Sequence, residues 1–313
     1  MKKNIIYLLL LITSYAFSQK GYTKEFGIKN DNDLYTSTSK DRYYTNGIFL
    51  TYRYLSKKNI GKSTKTINKV TLAQQIYSPQ YATVTLKEDH DRPFAGYLFG
   101  EFGISNFYQN NTLLNISSQI GYIGSNAFGE ETMALVHNIW DLPKAEGWKY
   151  QISNAFALNF AASYIKNINK ISNSTLGIDL ITAINIGTIL TNASTGINIR
   201  IGLTPLKNII NSIAYNGNLN KTNTKTQELF LYLKPSINYI LYDATIQGSF
   251  LNDSSPITYQ IKPLTFTTEF GISWAFNKIN LGYSMFFHSK KLKSQNVPKT
   301  NNYGSIFINY VFK

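Results

Sequence analysis

Residues 302–313 read NYGSIFINYVFK. In an extended strand, successive side chains point to opposite faces. One face of this stretch carries Ile306, Ile308, Tyr310 and Phe312, and the other carries Phe307, Asn309 and Val311. A terminal strand that ends on an aromatic residue is typical of the strand that closes a barrel in the bacterial outer membrane.

Alternating runs of the same kind recur along the chain. They lie at about 21–29, 44–55, 67–78, 94–107, 112–124, 149–166, 174–190, 196–204, 227–241, 259–276, 278–289 and 302–312. The count is about twelve and even, and closing such strands into a barrel leaves no backbone group unpaired in lipid. The sequence therefore predicts an all-β fold, a transmembrane antiparallel β-barrel of about 12 strands with a short extracellular helix. A secreted β-sandwich or a soluble barrel is the alternative, but either would carry more charge on its outer face.

The composition agrees with a barrel and excludes several other classes. Aromatic residues make up 14% of the chain and charged residues 15%, below the ~25% of charged residues in ordinary globular domains. After the N-terminal segment, no apolar run reaches the ~18 residues that indicate a membrane-spanning helix. The absence of cysteine excludes disulfides, thiol catalysis, a cysteine-ligated metal and a lipid anchor on cysteine.

The N-terminal segment MKKNIIYLLLLITSYAFSQ has the pattern of a secretory signal peptide. Two lysines precede an apolar run, and small residues precede a cleavage site after Ser18. The apolar run is much shorter than the ~20 residues of a membrane anchor, which is the alternative. We therefore expect residues 1–18 to be a signal peptide, and residues 19–313 to form a single barrel domain in the outer membrane.

Strand parity predicts where the polar motifs lie. With an even number of strands, both termini lie on the periplasmic side, as do the short joints at 108–111 and 276–280. Two long connections, at about 56–66 and 205–226, fall on the same side, although periplasmic turns are usually short. The extracellular rim then receives six polar motifs of neighbouring strands: NDND (30–33), YTNG (44–47), IYSP (76–79), DRPFAGY (91–97), GYIGSNAFGEE (121–131) and GWKYQ (147–151).

The segment SNAFGEETMALVHNIWD (125–141) is predicted to be a helix, with Ser125 or Asn126 as its cap. His137 lies near its end. A lone histidine on a short amphipathic helix is more often a packing residue than a base, but His137 is the histidine beside the polar cluster. The other two histidines, His90 in a charged loop and His288 at a strand end, are expected to be solvated.

The motifs NDLY, DRYYTNG, IYSP, DRPFAG, GYIGSNAFGEETMALVH and GWKYQ occur in this order. Together they resemble the outer-membrane lipid A 3′-O-deacylases, the LpxR-like family, over residues 25 to 155. The resemblance implies a twelve-stranded barrel. It also implies an esterase that hydrolyses the 3′-linked acyl-oxyacyl group of lipid A, depends on calcium and acts on lipopolysaccharide in the outer leaflet.

The resemblance also implies roles for individual residues. His137 would be the catalytic histidine, Thr45 the hydroxyl residue of the YTNG motif, and Asn32 and Asp33 the Asn-Asp pair. The doubled NDND leaves 30–31 as the alternative pair, and 32–33 is favoured because it directly precedes LY. Asp33 is also the candidate calcium ligand.

Two positions depart from the family pattern. A basic residue is expected soon after IYSP, but the chain reads QYATVTLK, which leaves Lys87 or Arg92 to bind substrate. The acidic residue expected shortly after the catalytic histidine is also missing, and Asp141 or Glu146 would have to serve.

The chemistry of ester hydrolysis suits these residue types. A neutral histidine can deprotonate water, and a hard cation held by oxygen ligands can stabilise the oxyanion. A Ser-His-Asp mechanism with Ser78 or Ser125 is the competing hypothesis, but neither serine lies in a Gly-x-Ser-x-Gly turn. The alternative function is a non-catalytic outer-membrane barrel, a porin or surface-binding protein, although about twelve strands enclose only a narrow lumen.

The net charge of +14 fits a partner rich in phosphate. Lysine and arginine at the rim would meet the phosphates of lipopolysaccharide, but a general basic bias of the chain explains the charge at least as well. Because the chain carries an export signal, no nucleic-acid partner is expected. No feature of the sequence points to a protein partner.

Overall fold

A computed structural model describes residues 21–36, 43–81, 83–141, 143–169, 175–222, 227–294 and 300–313. The expected signal peptide, residues 1–18, lies outside the described residues. Within the described ranges, none of the helices is long and apolar enough to cross a membrane.

Twelve antiparallel strands in the described part of the chain form one closed barrel, as predicted. They are β1 Lys24–Asn32, β2 Tyr43–Leu55, β3 Lys65–Ser78, β4 Ala95–Tyr108, β5 Thr112–Ile123, β6 Ala155–Asn167, β7 Leu176–Gly187, β8 Leu190–Gly202, β9 Glu228–Asp243, β10 Leu264–Phe276, β11 Ile279–Ser289 and β12 Thr300–Phe312. The helices are α1 Gly129–Trp140 and α2 Ala244–Gln247. Strand β12 closes the barrel against β1, with Phe312 opposite Lys24.

Three strands begin five or six residues away from their predicted starts. Strand β8 begins at Leu190 instead of 196 because β7 turns into it directly after Gly187. Strand β6 begins at Ala155 instead of 149, because residues 148–150 form a short 3-10 turn. Strand β10 begins at Leu264 instead of 259.

The alternation of side chains separates an apolar outer face from a polar lumen. The outer face exposes large apolar side chains, which we call the apolar belt: among them Leu50, Leu72, Phe102, Ile120, Phe160, Leu231, Phe266 and Ile308. The lumen encloses a cavity of 770 Å³ and contains ion pairs such as Arg53–Glu25 at 2.6 Å and Lys234–Glu269 at 2.7 Å. These lumen charges are stabilised by partners of opposite charge, whereas an apolar outer face suits contact with lipid.

The long β8–β9 connection folds into the periplasmic end of the lumen. Its residues Ile209, Tyr215 and Leu219 are buried against side chains of the barrel wall. Lys65 of β3 donates to the carbonyl oxygen of Gly217 at 2.7 Å. The length of this connection is therefore explained by its packing, because it forms a plug within the lumen.

Candidate functional site

Helix α1 lies on the outside of the barrel wall at the extracellular end. The 3-10 turn Ser125–Ala127 packs on β4 and β5, and α1 continues across β3 and β4. Gly129 and Gly96 allow the close approach, because a Cβ at Gly129 would lie 3.1 Å from Gly96 Cα. Gln74 of β3 donates to the carbonyl oxygens of Ala127 and Phe128, at 2.6 and 3.1 Å. The helix is thus fixed across the strands.

The predicted cap of this helix is wrong. Helix α1 begins at Gly129, its N-cap is Phe128 in the left-handed region (φ 56°), and no side chain caps it. Ser125 and Asn126 instead attach the preceding turn to the start of β6. Asn154 donates to Ser125 Oγ at 2.7 Å, and the Asn126 N–H donates to Asn154 Oδ1 at 2.7 Å. Bonds to a neighbouring strand have replaced the local cap.

His137 lies on the buried face of α1 and is only 6% exposed. One turn earlier, Met133 packs with Ile76, Phe94 and Trp148 in an apolar cluster between the helix and the wall. The Nδ1 atom of His137 is 2.6 Å from the carbonyl oxygen of Pro143. Because a carbonyl oxygen can only accept, Nδ1 carries the proton in neutral His137 and Nε2 carries the lone pair. This tautomer is the one a general base requires.

The residues that follow His137 position the Pro143 carbonyl, which is the partner of its Nδ1 atom. Asp141 ends α1 in the left-handed conformation (φ 51°), and its N–H donates to the carbonyl oxygen of His137. The side chains of Asp141 and Glu146 are both exposed. The orienting role of the Pro143 carbonyl has no signal in the sequence, since any residue type offers a backbone oxygen.

Thr45 occupies a β-bulge in β2, between Tyr44 and Asn46. Its Oγ1 is 2.5 Å from Ser78 Oγ, and both residues are buried. Strict alternation along β2 would put Thr45 on the same face as Phe49 and Thr51, which line the lumen. Ser78 follows the lumen-facing Tyr77 and therefore faces outward. The bulge thus directs the Thr45 hydroxyl to the side of the wall that carries α1.

The two Asn-Asp pairs lie at different heights in β1. Asp31 accepts from Tyr44 in the lumen at 2.8 Å, and Asn30 donates to the carbonyl oxygen of Gly47 at 3.1 Å. The pair 32–33 lies at the rim. Asn32 caps the 3-10 turn Asp33–Tyr35 by accepting from the Leu34 N–H at 2.7 Å, and Asp33 is buried. The catalytic role predicted for Asn32 and Asp33 stays a prediction.

The two basic candidates differ sharply. Lys87 is exposed in the 3-10 turn Lys87–Asp89. Arg92 is buried, donates to Thr245 Oγ1 at 2.7 Å, and lies over the Tyr77 ring at 4.4 Å. Burial lowers the pKa of the Arg92 guanidinium, and the carboxylate of Asp243 opposes this effect. Of the two, Lys87 is the one positioned to meet a ligand from outside.

Of the other two histidines, His90 is buried, contrary to the prediction, whereas His288 is half-buried. His90 is 1% exposed, because its loop folds back against Gly147 and Tyr150, and its Nδ1 lies 2.7 Å from the carbonyl oxygen of Leu86. His288 lines the lumen, with Nδ1 2.9 Å from Thr267 Oγ1. The barrel wall therefore separates His288 from α1.

The described residues do not offer calcium a cluster of carboxylates. Calcium prefers about 6–8 oxygen ligands, several of them carboxylates. Among the described residues, no three histidine, aspartate or glutamate side chains are grouped so that they could hold a metal ion. Asp33 supplies one carboxylate at the rim, and a calcium ion there would take its other ligands from carbonyl oxygens and water.

Comparisons with known proteins bear on both the fold and the family. A family model described as "Outer membrane protein LpxR" matches residues 5–312. Among curated proteins, none matches. The solved structure of LpxR from Salmonella typhimurium aligns with a TM-score of 0.75 at 19% identity, covering 92% of this chain and 100% of that one. The translocator domain of the autotransporter NalP from Neisseria meningitidis aligns with a TM-score of 0.46 at 9% identity, covering 99% and 96%.

Proposed function

Because the chain belongs to the LpxR family of outer membrane proteins, we propose that it is an esterase that removes the 3′-linked acyl-oxyacyl group of lipid A. The observation that carries the proposal is the burial of His137 together with the contact that sets its tautomer. It is buried between α1 and the outer face of the barrel, with Nδ1 held by the Pro143 carbonyl at 2.6 Å. In this tautomer the lone pair that a general base requires is on Nε2.

In the proposed reaction, Nε2 of His137 takes a proton from water as the water oxygen attacks the ester carbonyl. The tetrahedral intermediate then collapses, and the protonated imidazole returns the proton to the departing 3′ oxygen of the sugar. The products are the free acyl-oxyacyl acid and a lipid A with a 3′ hydroxyl. The Pro143 carbonyl holds the ring in place through both steps and stabilises the imidazolium through Nδ1–H.

The hydroxyl of Thr45 is the second group that we assign to this site. Its short contact with Ser78 fixes the orientation of both hydroxyls on the outer side of the wall. The pair therefore has one O–H left, which can donate a hydrogen bond to an ester carbonyl or to the attacking water. Ser78 is the structural partner of Thr45 in this proposal, rather than a nucleophile, because its Oγ is engaged by Thr45.

The exposed ammonium group of Lys87 suits the phosphates of lipid A, and we assign substrate binding to Lys87. Arg92 donates to protein oxygens instead, at Thr245 and at the backbone of Tyr43. Its proposed part is to hold α2 against the rim.

Dependence on calcium is a further proposal, supported by the family resemblance, and no step above passes through the ion. Its test is hydrolysis of lipid A in excess calcium chelator. Loss of activity that calcium restores would support the proposal, and full activity in chelator would contradict it.

A porin is disfavoured by a specific feature, the plug formed by the β8–β9 connection. A conducting lumen requires an open periplasmic end, whereas Ile209, Tyr215 and Leu219 fill this end. The enzymatic proposal needs no lumen, because α1 and His137 lie outside the wall.

The direct test is mass spectrometry of lipid A from cells that express the chain, the His137→Ala variant or neither. We expect the mass of the 3′ acyl-oxyacyl group to be lost only with the unchanged chain. His288→Ala is the matched control, because this histidine faces the lumen, and it should leave deacylation intact. Unchanged lipid A in cells that contain the folded wild-type barrel would refute the proposal.

A further inference from the structure

Helix α1 presents three distinct faces. Residues 129, 133 and 137, four apart, are buried against the barrel. On one flank, Leu135 and Ile139 are 60% and 66% exposed, and Phe128, directly before the helix, is 55% exposed. We call Phe128, Leu135 and Ile139 the apolar stripe. The rest of the exposed surface carries Glu130, Glu131, Ala134 and Asn138, and Glu131 is the one nearest the stripe. Such a helix has one apolar and one polar flank beside its packed face.

The apolar stripe begins at the upper margin of the apolar belt. Gln74, which donates to the carbonyl oxygen of Phe128, lies two residues beyond Leu72 of the belt on the outer face of β3. Two residues of a strand span only about 7 Å. Ile76, two residues further along, is already covered by the helix. The helix therefore begins, just after Phe128, next to the upper margin of the belt.

We propose that the apolar stripe inserts into the hydrocarbon of the outer leaflet, so that α1 lies in the membrane interface. The stripe continues the belt, whose contact with lipid follows from the outer-membrane family. An interfacial amphipathic helix buries its apolar face about 5–10 Å below the headgroup boundary. The polar flank then faces water. This inference rests on the membrane location of the family and not on the proposed catalysis.

The absence of cysteine from the chain permits a clean test. Single-cysteine variants Leu135→Cys and Ile139→Cys carry a nitroxide label, with Ala134→Cys on the polar flank as control and Leu72→Cys as the lipid reference. The full chain is placed in phospholipid vesicles that contain lipid A. Collisions of each label with oxygen, which is concentrated in hydrocarbon, are compared with collisions with a water-soluble nickel chelate.

We expect the labels at Leu135 and Ile139 to favour oxygen, as the label at Leu72 does, and to report a depth of about 5–10 Å. The label at Ala134 should be reached by the nickel chelate. Equal access of the chelate to all three labels on α1 would overturn the proposal. Each variant is first shown to shift on unheated gels, as a folded barrel does.

A second measurement, which uses no spin label, controls for disruption of α1 by the label. Leu135→Trp should be quenched by brominated lipid beyond the wild-type level, and the same substitution at Ala134 should not. Equal quenching at the two positions would also overturn the proposal. Neither readout requires hydrolysis, so a failure of the proposed deacylase activity is distinguished from a failure of this proposal.

Discussion

The contact between Gly129 and Gly96 makes a quantitative prediction for the Gly129→Ala variant. The new Cβ would lie 3.1 Å from Gly96 Cα and 2.9 Å from Trp148 Cη2. Carbon atoms pack at about 3.5–4.0 Å, so α1 would have to withdraw from β4 by about 0.5–1 Å. His137, two turns along the same helix, would move with it. A displacement near 1 Å can cost about 10² in rate, and we expect a loss of this order in lipid A deacylation.

The assay is the initial rate of release of the acyl-oxyacyl acid from lipid A in detergent, with gel mobility before heating as the measure of folding. The barrel should stay folded, because the strand ladders do not pass through Gly129. Gly100→Ala is the matched control on the outer face of β4, where an added Cβ meets nothing within 4 Å. Wild-type activity of Gly129→Ala, or an equal loss in Gly100→Ala, would refute the reasoning.

Three further predictions concern other parts of the molecule. His137→Ala should lower the deacylation rate by about 10²–10⁴ through loss of the general base, and Thr45→Ala should lower it less, because water can partly replace a positioning hydroxyl. Lys87→Ala should raise KM for lipid A without changing stability in urea, whereas Arg92→Ala should lower the free energy of unfolding by about 1.5–3 kcal/mol, the contribution of a hydrogen bond to a charged group. Lys65→Met, which removes the donor to Gly217 in the plug, should raise ion conductance in planar bilayers.

Each of these outcomes has a control. His288→Ala should retain full activity, and a dead His288→Ala beside an active His137→Ala would show that the assigned site is wrong. Equal effects of the Lys87 and Arg92 variants on stability would contradict their different burial. Lys62→Met removes an exposed lysine of the β2–β3 connection, so it should leave conductance unchanged. If Lys62→Met raised conductance as much as Lys65→Met, the hydrogen bond from Lys65 to Gly217 would not be what keeps the plug in place.

The strands were predictable because a barrel wall imposes one strong constraint on each of them. The side chains of every membrane strand must alternate between lipid and lumen, so the sequence of a run such as 302–312 indicates both where the strand lies and which residues share a face. The even count then fixed which connections share a side, including the long one at 205–226. That this connection fills the lumen was not predictable, because its apolar residues follow no regular period.

The site was less predictable, because its geometry depends on local irregularities and on packing between distant segments. The β-bulge at Thr45 puts its side chain on the face opposite to the one that strict alternation predicts, and the sequence YTNG does not indicate a bulge. His90 is buried because its loop meets Gly147 and Tyr150, which lie far along the chain. That His137 lies on a helix could be predicted, but its contact with the Pro143 carbonyl could not.

The position of α1 on the outer wall has a kinetic consequence. In the proposed function, a lipid A molecule that is already in the leaflet would reach His137 by lateral diffusion, without being lifted out of the bilayer. The search is then two-dimensional, and encounters depend on the number of lipid molecules per unit area. Dilution of lipid A with inert lipid should slow turnover even when the amount of lipid A in the tube is constant. Adding more membrane of the same composition should leave turnover per enzyme unchanged.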